Sequence, residues 1–136
     1  MNNLGDINVS IVIPVRNNSE FLSSVLHAIN CQSLAPDEVI IVDSSTDNAV
    51  YELINDFESD VPIIYHREKK AYPGKARNIG ANFAKSEWIA FLDSKTIPEE
   101  DWLERYYHLI QAYTIDAVFG VTLFDATSPF QKTLRA

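Results

Sequence analysis

The sequence predicts an α/β fold of the three-layer kind, a mostly parallel sheet with helices on both faces. Two observations predict it. Apolar runs suited to strands alternate with stretches whose apolar residues recur at helical spacing, the order of repeated βα units. Three of those runs also end in polar clusters: 9–13 in Pro14-Val15-Arg16-Asn17-Asn18, 38–42 in Asp43-Ser44-Ser45-Thr46-Asp47, and 88–92 in Asp93-Ser94-Lys95. Ligands of open α/β sheets bind beyond the carboxyl ends of the strands, so the clusters read as one composite site.

Each element has its own justification. Residues 8–13 form a continuous β-branched run, as expected of a strand buried on both faces. A helix over 19–32 carries Phe21, Leu22, Val25, Leu26 and Ile29 on one stripe, and Pro36 follows it. The second strand is 38–42. Asp47 fits an N-cap for a helix that buries Val50, Leu53, Ile54 and Phe57. A short strand at 62–66 leads into a polar loop, 67–73. The helix over 74–85 has a face of Ala76, Ile79, Gly80, Phe83 and Ala84, small enough for close approach to the sheet. After the strand at 88–92, Thr96-Ile97-Pro98-Glu99 fits a capping box that opens a helix running to Tyr113. Its apolar side is Trp102, Leu103, Tyr106, Leu109, Ile110 and Tyr113. A last strand at 116–123 completes a βαβαβαβαβ order, and the tail from Asp125 carries no element.

Composition narrows the function classes. A chain of 136 residues with 46% hydrophobic residues suits one domain with a sizeable core. A net charge of −8 argues against nucleic-acid binding, which needs a basic face. No apolar stretch approaches the roughly 20 residues that span a bilayer, and the N-terminus lacks the pattern of a signal peptide. The single cysteine, Cys31, falls at the end of an amphipathic helix and reads as buried and inert. A reducing, cytoplasmic setting fits. His27, His66 and His108 fall on separate elements without metal-ligand spacing.

The chemistry concentrates in two segments. In Pro73-Gly74-Lys75-Ala76-Arg77-Asn78, two cations occupy the first turn of a helix, at the positive end of its macrodipole. A phosphate docked there would turn that cost into attraction. The alternative is that both side chains splay outward or pair with Glu68 or Glu87; the neighbouring strand-end clusters favour the anion. In Asp93-Ser94-Lys95, a second carboxylate at Lys95 would make a metal clamp for a diphosphate, because Mg²⁺ and Mn²⁺ prefer hard oxygen ligands. Asp93 alone is a poor metal site. It reads equally as a local cap, with Lys95 pairing to Asp93 or Glu99.

Taken together, the runs 9–14, 38–47, 74–81 and 91–98 resemble a family 2 glycosyltransferase of the GT-A fold, in order and over nearly the whole chain. The resemblance implies transfer of a sugar, with inversion, from a nucleotide diphosphate donor to an acceptor, with Mg²⁺ or Mn²⁺. It implies that Pro14, Val15, Arg16 and Asn17 line a nucleoside pocket and that Asp43 lies near the base. Ser44 stands where many members have a second aspartate, so a hydroxyl replaces a carboxylate in base recognition. By the same resemblance Arg77, beside Lys75, contacts the donor, while Asp93 and Ser94 face ribose and the metal region. Lys95 departs from the Asp-x-Asp pattern: either donor binding is metal-independent, with the ammonium partly neutralising the diphosphate, or the metal site is degenerate. Degeneracy is the expectation, because Lys95 repels a cation while supplying only a single charge in its place. The family's general base lies in a following acceptor-binding half. Asp116 and Asp125 are the carboxylates beyond the last predicted helix, and neither is expected to serve. The expectation is therefore a nucleotide-sugar-binding part, a fragment or truncated product that transfers little sugar alone. The acceptor is not identified. The competing expectation is a non-catalytic module that associates with itself or with a missing C-terminal half. A Rossmann-type dinucleotide binder is weak, since no Gly-x-Gly-x-x-Gly follows the first strand.

Overall fold

The computed structural model describes residues 7–123. Four parallel strands, β1 (Val9–Val15), β2 (Glu38–Asp43), β3 (Ile63–Arg67) and β4 (Trp88–Phe91), form one sheet in the order β3-β2-β1-β4. Between and after them lie α1 (Ser19–Asn30), α2 (Ala49–Asp56), α3 (Pro73–Phe83) and α4 (Trp102–Ala112). The chain builds outward from β1 to β3, then crosses back to add β4 on the other side of β1. The strand order therefore reverses between β1 and β4, and a crevice opens at that point.

Alternation along the central strands makes the two cores. Val9, Ile11, Ile13 and Val15 of β1, with Val39 and Ile41 of β2, face a cluster completed by α1, Val50 of α2 and Leu103 and Tyr107 of α4. Val12, Ile40 and Val42 face the opposite side and pack on Ala71 and Ala76. α3 lies very close to this second face. A Cβ at Gly80 would overlap Val12 Cγ1 and come within 3.3 Å of Val42 Cγ2, so glycine sets the approach. The face expected of α3 holds at Ala76 and Gly80, but Phe83 stays 40% exposed against the His66 ring.

Several expectations need correction. β1 runs two residues past 13, because Pro14 and Val15 stay in register with Val42 and Asp43. Asp47 is not the residue flanking α2, yet its Oδ1 accepts the Ala49 N–H at 3.1 Å, a cap shifted by one position. The capping box at 96–99 does not open a helix. Gln32, just past the C-cap of α1, donates to the Glu99 carbonyl at 2.7 Å and accepts the Leu103 N–H, while Ser33 N–H reaches the Glu100 carbonyl. These bonds hold the segment outside a helix and delay α4 to Trp102. The buried face of α4 is accordingly Leu103 and Tyr107, and Leu109 and Tyr113 are exposed.

The last strand expected at 116–123 is not formed. β1 and β2 already have neighbours on both sides, and the segment pairs with neither free edge. It runs as irregular chain with Phe119 and Val121 almost fully exposed, and Asp116 therefore begins no strand. The tail from Asp125 lies outside the described residues. Cys31 is exposed at the C-cap of α1, not buried, because the helix ends one residue earlier. No helix among the described residues is long and apolar enough to cross a membrane.

Candidate functional site

The crevice between the β1 and β4 tips is an open cleft of about 1470 Å³. Its floor comes from the strand ends, one wall from the start of α3, the other from the segment before α4 and α4 itself. Of the residues expected at the site, Pro14, Val15, Arg16, Ser44, Arg77, Asp93, Ser94 and Lys95 line it, whereas Asn17, Asp43 and Lys75 do not.

Each exclusion has a cause. Asp43 is fully buried behind the floor, with Oδ1 accepting the Ser45 N–H at 2.9 Å and Oδ2 accepting the Tyr65 hydroxyl at 2.7 Å. Burial, reinforced by the Asp43 carboxylate, pushes the Tyr65 hydroxyl up to about 12. Asp43 thus shapes the turn that presents Ser44. The Ser44 hydroxyl donates to the Val15 carbonyl at 3.4 Å, leaving lone pairs free to accept. Lys75 turns to Glu68 at 3.6 Å, the pairing weighed as the alternative to an anion. Glu68 also accepts from His66, and that bond is the main reason its carboxyl lies below the usual range.

Asn17 adopts φ 51, a left-handed conformation that asparagine tolerates better than most residues. From there its N–H donates to Ser45 Oγ at 2.8 Å and its Oδ1 accepts from the Thr46 N–H and hydroxyl. It joins the β1 and β2 tips from behind instead of facing the cleft. Asn18 joins the β1 and β4 tips, donating from Nδ2 to Ser94 O at 3.1 Å and Ser94 Oγ at 3.3 Å.

Arg77 is the charged residue of the α3 start that lines the cleft. Its Nη2 lies 2.6 Å from Asp93 Oδ1, a charge-assisted bond between partly exposed groups. The bond uses one of the five guanidinium donors, so the rest stay available to a ligand. Lys95 pairs with neither Asp93 nor Glu99; Glu99 is taken by Arg105 at 3.1 Å.

Several residues of the site are not apparent from sequence. Phe21 falls on the core stripe of α1 by spacing, but it is 46% exposed and lines the cleft. Arg105 lines it from α4, braced by Asp101 and Glu99. Trp102 and Tyr106 meet edge to face at 5.5 Å and do both jobs, packing on the core and lining the cleft. Tyr72 differs from these, since the sequence already offers it as a loop aromatic ahead of the anion-binding turn, able to stack on a base or simply to lie exposed. It is 82% exposed and lines the cleft at the start of α3. Arg67 reads as a plain loop residue, yet it donates to Asn48 Oδ1 and to the Ser45 and Asp47 carbonyls, clamping the β2–α2 loop. The Asn17-Asn18 pair directly after a strand is the one usable signal for the loop joints.

Comparison with known proteins decides the family. The family model described as "Glycosyl transferase family 2" matches residues 10–135. The chain belongs to that family. Among curated glycosyltransferases, GlyG of Streptococcus pneumoniae is 32% identical over 115 residues, covering 82% of this chain and 38% of its own length. Chondroitin synthase of Escherichia coli is 32% identical over 123 residues, 88% of this chain and 18% of that protein. This family 2 chain therefore spans well under half of those relatives. Two solved structures share its fold. S. aureus TarS in complex with UDP-GlcNAc superposes with a TM-score of 0.71 at 22% identity, over 79% of this chain and 32% of TarS. The Pyrobaculum calidifontis mannosyltransferase PcManGT, with GDP-Man and Mn²⁺, gives 0.59 at 24% identity, over 67% and 28%. The parallel sheet flanked by helices matches the GT-A-like fold of these neighbours.

Proposed function

We propose that this chain is the nucleotide-sugar-binding part of an inverting glycosyltransferase. The observation that carries the reading is the Arg77–Asp93 pair, which links α3 to the β4 tip in the cleft at the strand-order reversal. There Pro14, Val15, Arg16 and Ser44 form the nucleoside side, and Arg77, Asp93, Ser94 and Lys95 form the phosphate and sugar side. The Ser44 hydroxyl offers an acceptor to a base N–H, and Arg77 holds the donor at a fixed angle. In the complete protein the reaction is one in-line displacement at the anomeric carbon. An acceptor hydroxyl attacks, the nucleoside diphosphate leaves, and a carboxylate outside this chain takes the hydroxyl proton. The chain alone is expected to transfer little or no sugar. Neither Asp116 nor Asp125 is assigned as the base.

The Mg²⁺ or Mn²⁺ that the family implies does not suit the residues at this strand tip. Asp93 stands alone, already bonded to Arg77, with the Lys95 ammonium two residues on. Among the described residues no group of three His, Cys, Asp or Glu could hold a metal.

The UDP-GlcNAc and GDP-Man complexes of the structural neighbours support a nucleotide sugar as ligand. The lone thiol of Cys31 is the support for a reducing, cytoplasmic setting. Association with a second copy or with a C-terminal half would use the free β4 edge, where Phe91 is 49% exposed. Calorimetric titration with UDP, GDP and dTDP at fixed Mg²⁺ tests the main reading. Binding of at least one nucleotide, lost in Arg77→Ala, supports it; silence with all three favours the association module.

A further inference from the structure

Accepting the nucleotide-binding reading above, the cleft raises the question of what meets the diphosphate charge. Among the described residues four cations line it, Arg16, Arg77, Lys95 and Arg105, against two carboxylates, Asp93 and Glu99. The whole chain has the opposite bias, 11 Lys and Arg against 19 Asp and Glu. Both lining carboxylates are already matched, Asp93 by Arg77 and Glu99 by Arg105. Arg16 and Lys95 are left exposed, with no ion-pair partner among the described residues. They belong to adjacent loops that Asn18 and Ser94 tie together, so their charges face the same opening.

For a divalent cation the same wall is hostile. Such an ion needs several hard oxygen ligands. It would have to draw Asp93 away from a guanidinium at 2.6 Å and sit beside an unmatched ammonium. For a diphosphate the wall is already complementary, since the free pair Arg16 and Lys95 offsets two of the negative charges that the diphosphate carries, whether it ends in a sugar or in a free phosphate.

We propose that Lys95, with Arg16, takes the place of the divalent cation. A nucleotide diphosphate is held here by ammonium and guanidinium groups, with Arg77 braced on Asp93 and no metal between phosphate and protein.

The test is calorimetry of the 136-residue chain with UDP, GDP and dTDP, once in EDTA and once in excess Mn²⁺. At least one nucleotide is expected to bind with the same affinity in both buffers. Lys95→Ala is expected to weaken it on the order of tenfold in both, the loss typical of one charge-assisted contact. Lys95→Asp is expected to remove binding in EDTA and to regain it in Mn²⁺, since it restores a second carboxylate. Thermal melts of both variants should overlay the parent, because Lys95 is exposed. Binding by the parent only in Mn²⁺, or undiminished binding by Lys95→Ala, overturns the proposal and leaves nucleotide binding standing. Silence in both buffers overturns nucleotide binding itself, and the proposal falls with it.

Discussion

Gly80→Ala measures how tightly the second face of the sheet is closed. The added methyl overlaps Val12 Cγ1 and reaches 3.3 Å from Val42 Cγ2. Val12 cannot retreat, being fully buried in a strand paired on both sides. Overpacking of this kind costs about 1–3 kcal/mol, and alanine's better helix propensity returns about 1 kcal/mol. The overlap is closer than real Cβ contacts allow, so the upper part of the range applies and the net loss is about 1–2 kcal/mol. For a chain of this length that lowers the melting temperature by roughly 4–8 °C. The same displacement lifts α3 from the sheet and carries Arg77, one turn earlier, away from Asp93, so affinity for a bound nucleotide should fall as well. Urea denaturation gives the stability change, and a double-mutant cycle with Val12→Ala isolates its origin. Val12→Ala removes the methyl that the new side chain would strike, so the double variant should be more stable than the sum of the singles by about 0.5–3 kcal/mol. Strict additivity, or a Gly80→Ala variant at least as stable as the parent, would refute the close-approach argument.

Two further outcomes follow from other contacts. Gln32→Ala strips the buried Leu103 N–H and the Glu99 carbonyl of their partner and should cost about 1–3 kcal/mol in urea denaturation; no change would mean that the α1–α4 joint is replaceable by water. The Tyr65 and Tyr107 hydroxyls are both pushed up to about 12, chiefly by burial. A raised folded value stabilises the neutral form, so the contribution is complete below about pH 10, the unfolded value, and is lost as pH climbs toward 12. Tyr65→Phe should shallow that alkaline decline in melting temperature, and an unchanged slope would count against it.

The sheet was legible because β-branched runs bounded by polar clusters leave little choice of element, and the strand tips were legible because topology puts them on one edge. The tertiary partners were not. Nothing local in Thr96-Ile97-Pro98-Glu99 reveals that Gln32, 67 positions earlier, holds Glu99 in place of a helix start. Nor does Asp43 announce that Tyr65 will draw it inward and hand the floor to Ser44. The segment at 116–123 has strand-like composition, but it pairs with neither free edge of the sheet, and local composition does not show that. The Lys75 alternatives could be stated but not settled from sequence, since the choice depended on where β3 delivers Glu68.

The Asn18–Ser94 joint spans 76 positions of sequence. The candidate cleft is therefore assembled from segments far apart in sequence, and no contiguous stretch of the chain contains it. A ligand that grips this opening recognises only molecules in which the fourth strand has docked, and mass action then draws the remainder toward that state. Nucleotide affinity would thus double as a gauge of how completely the sheet has closed.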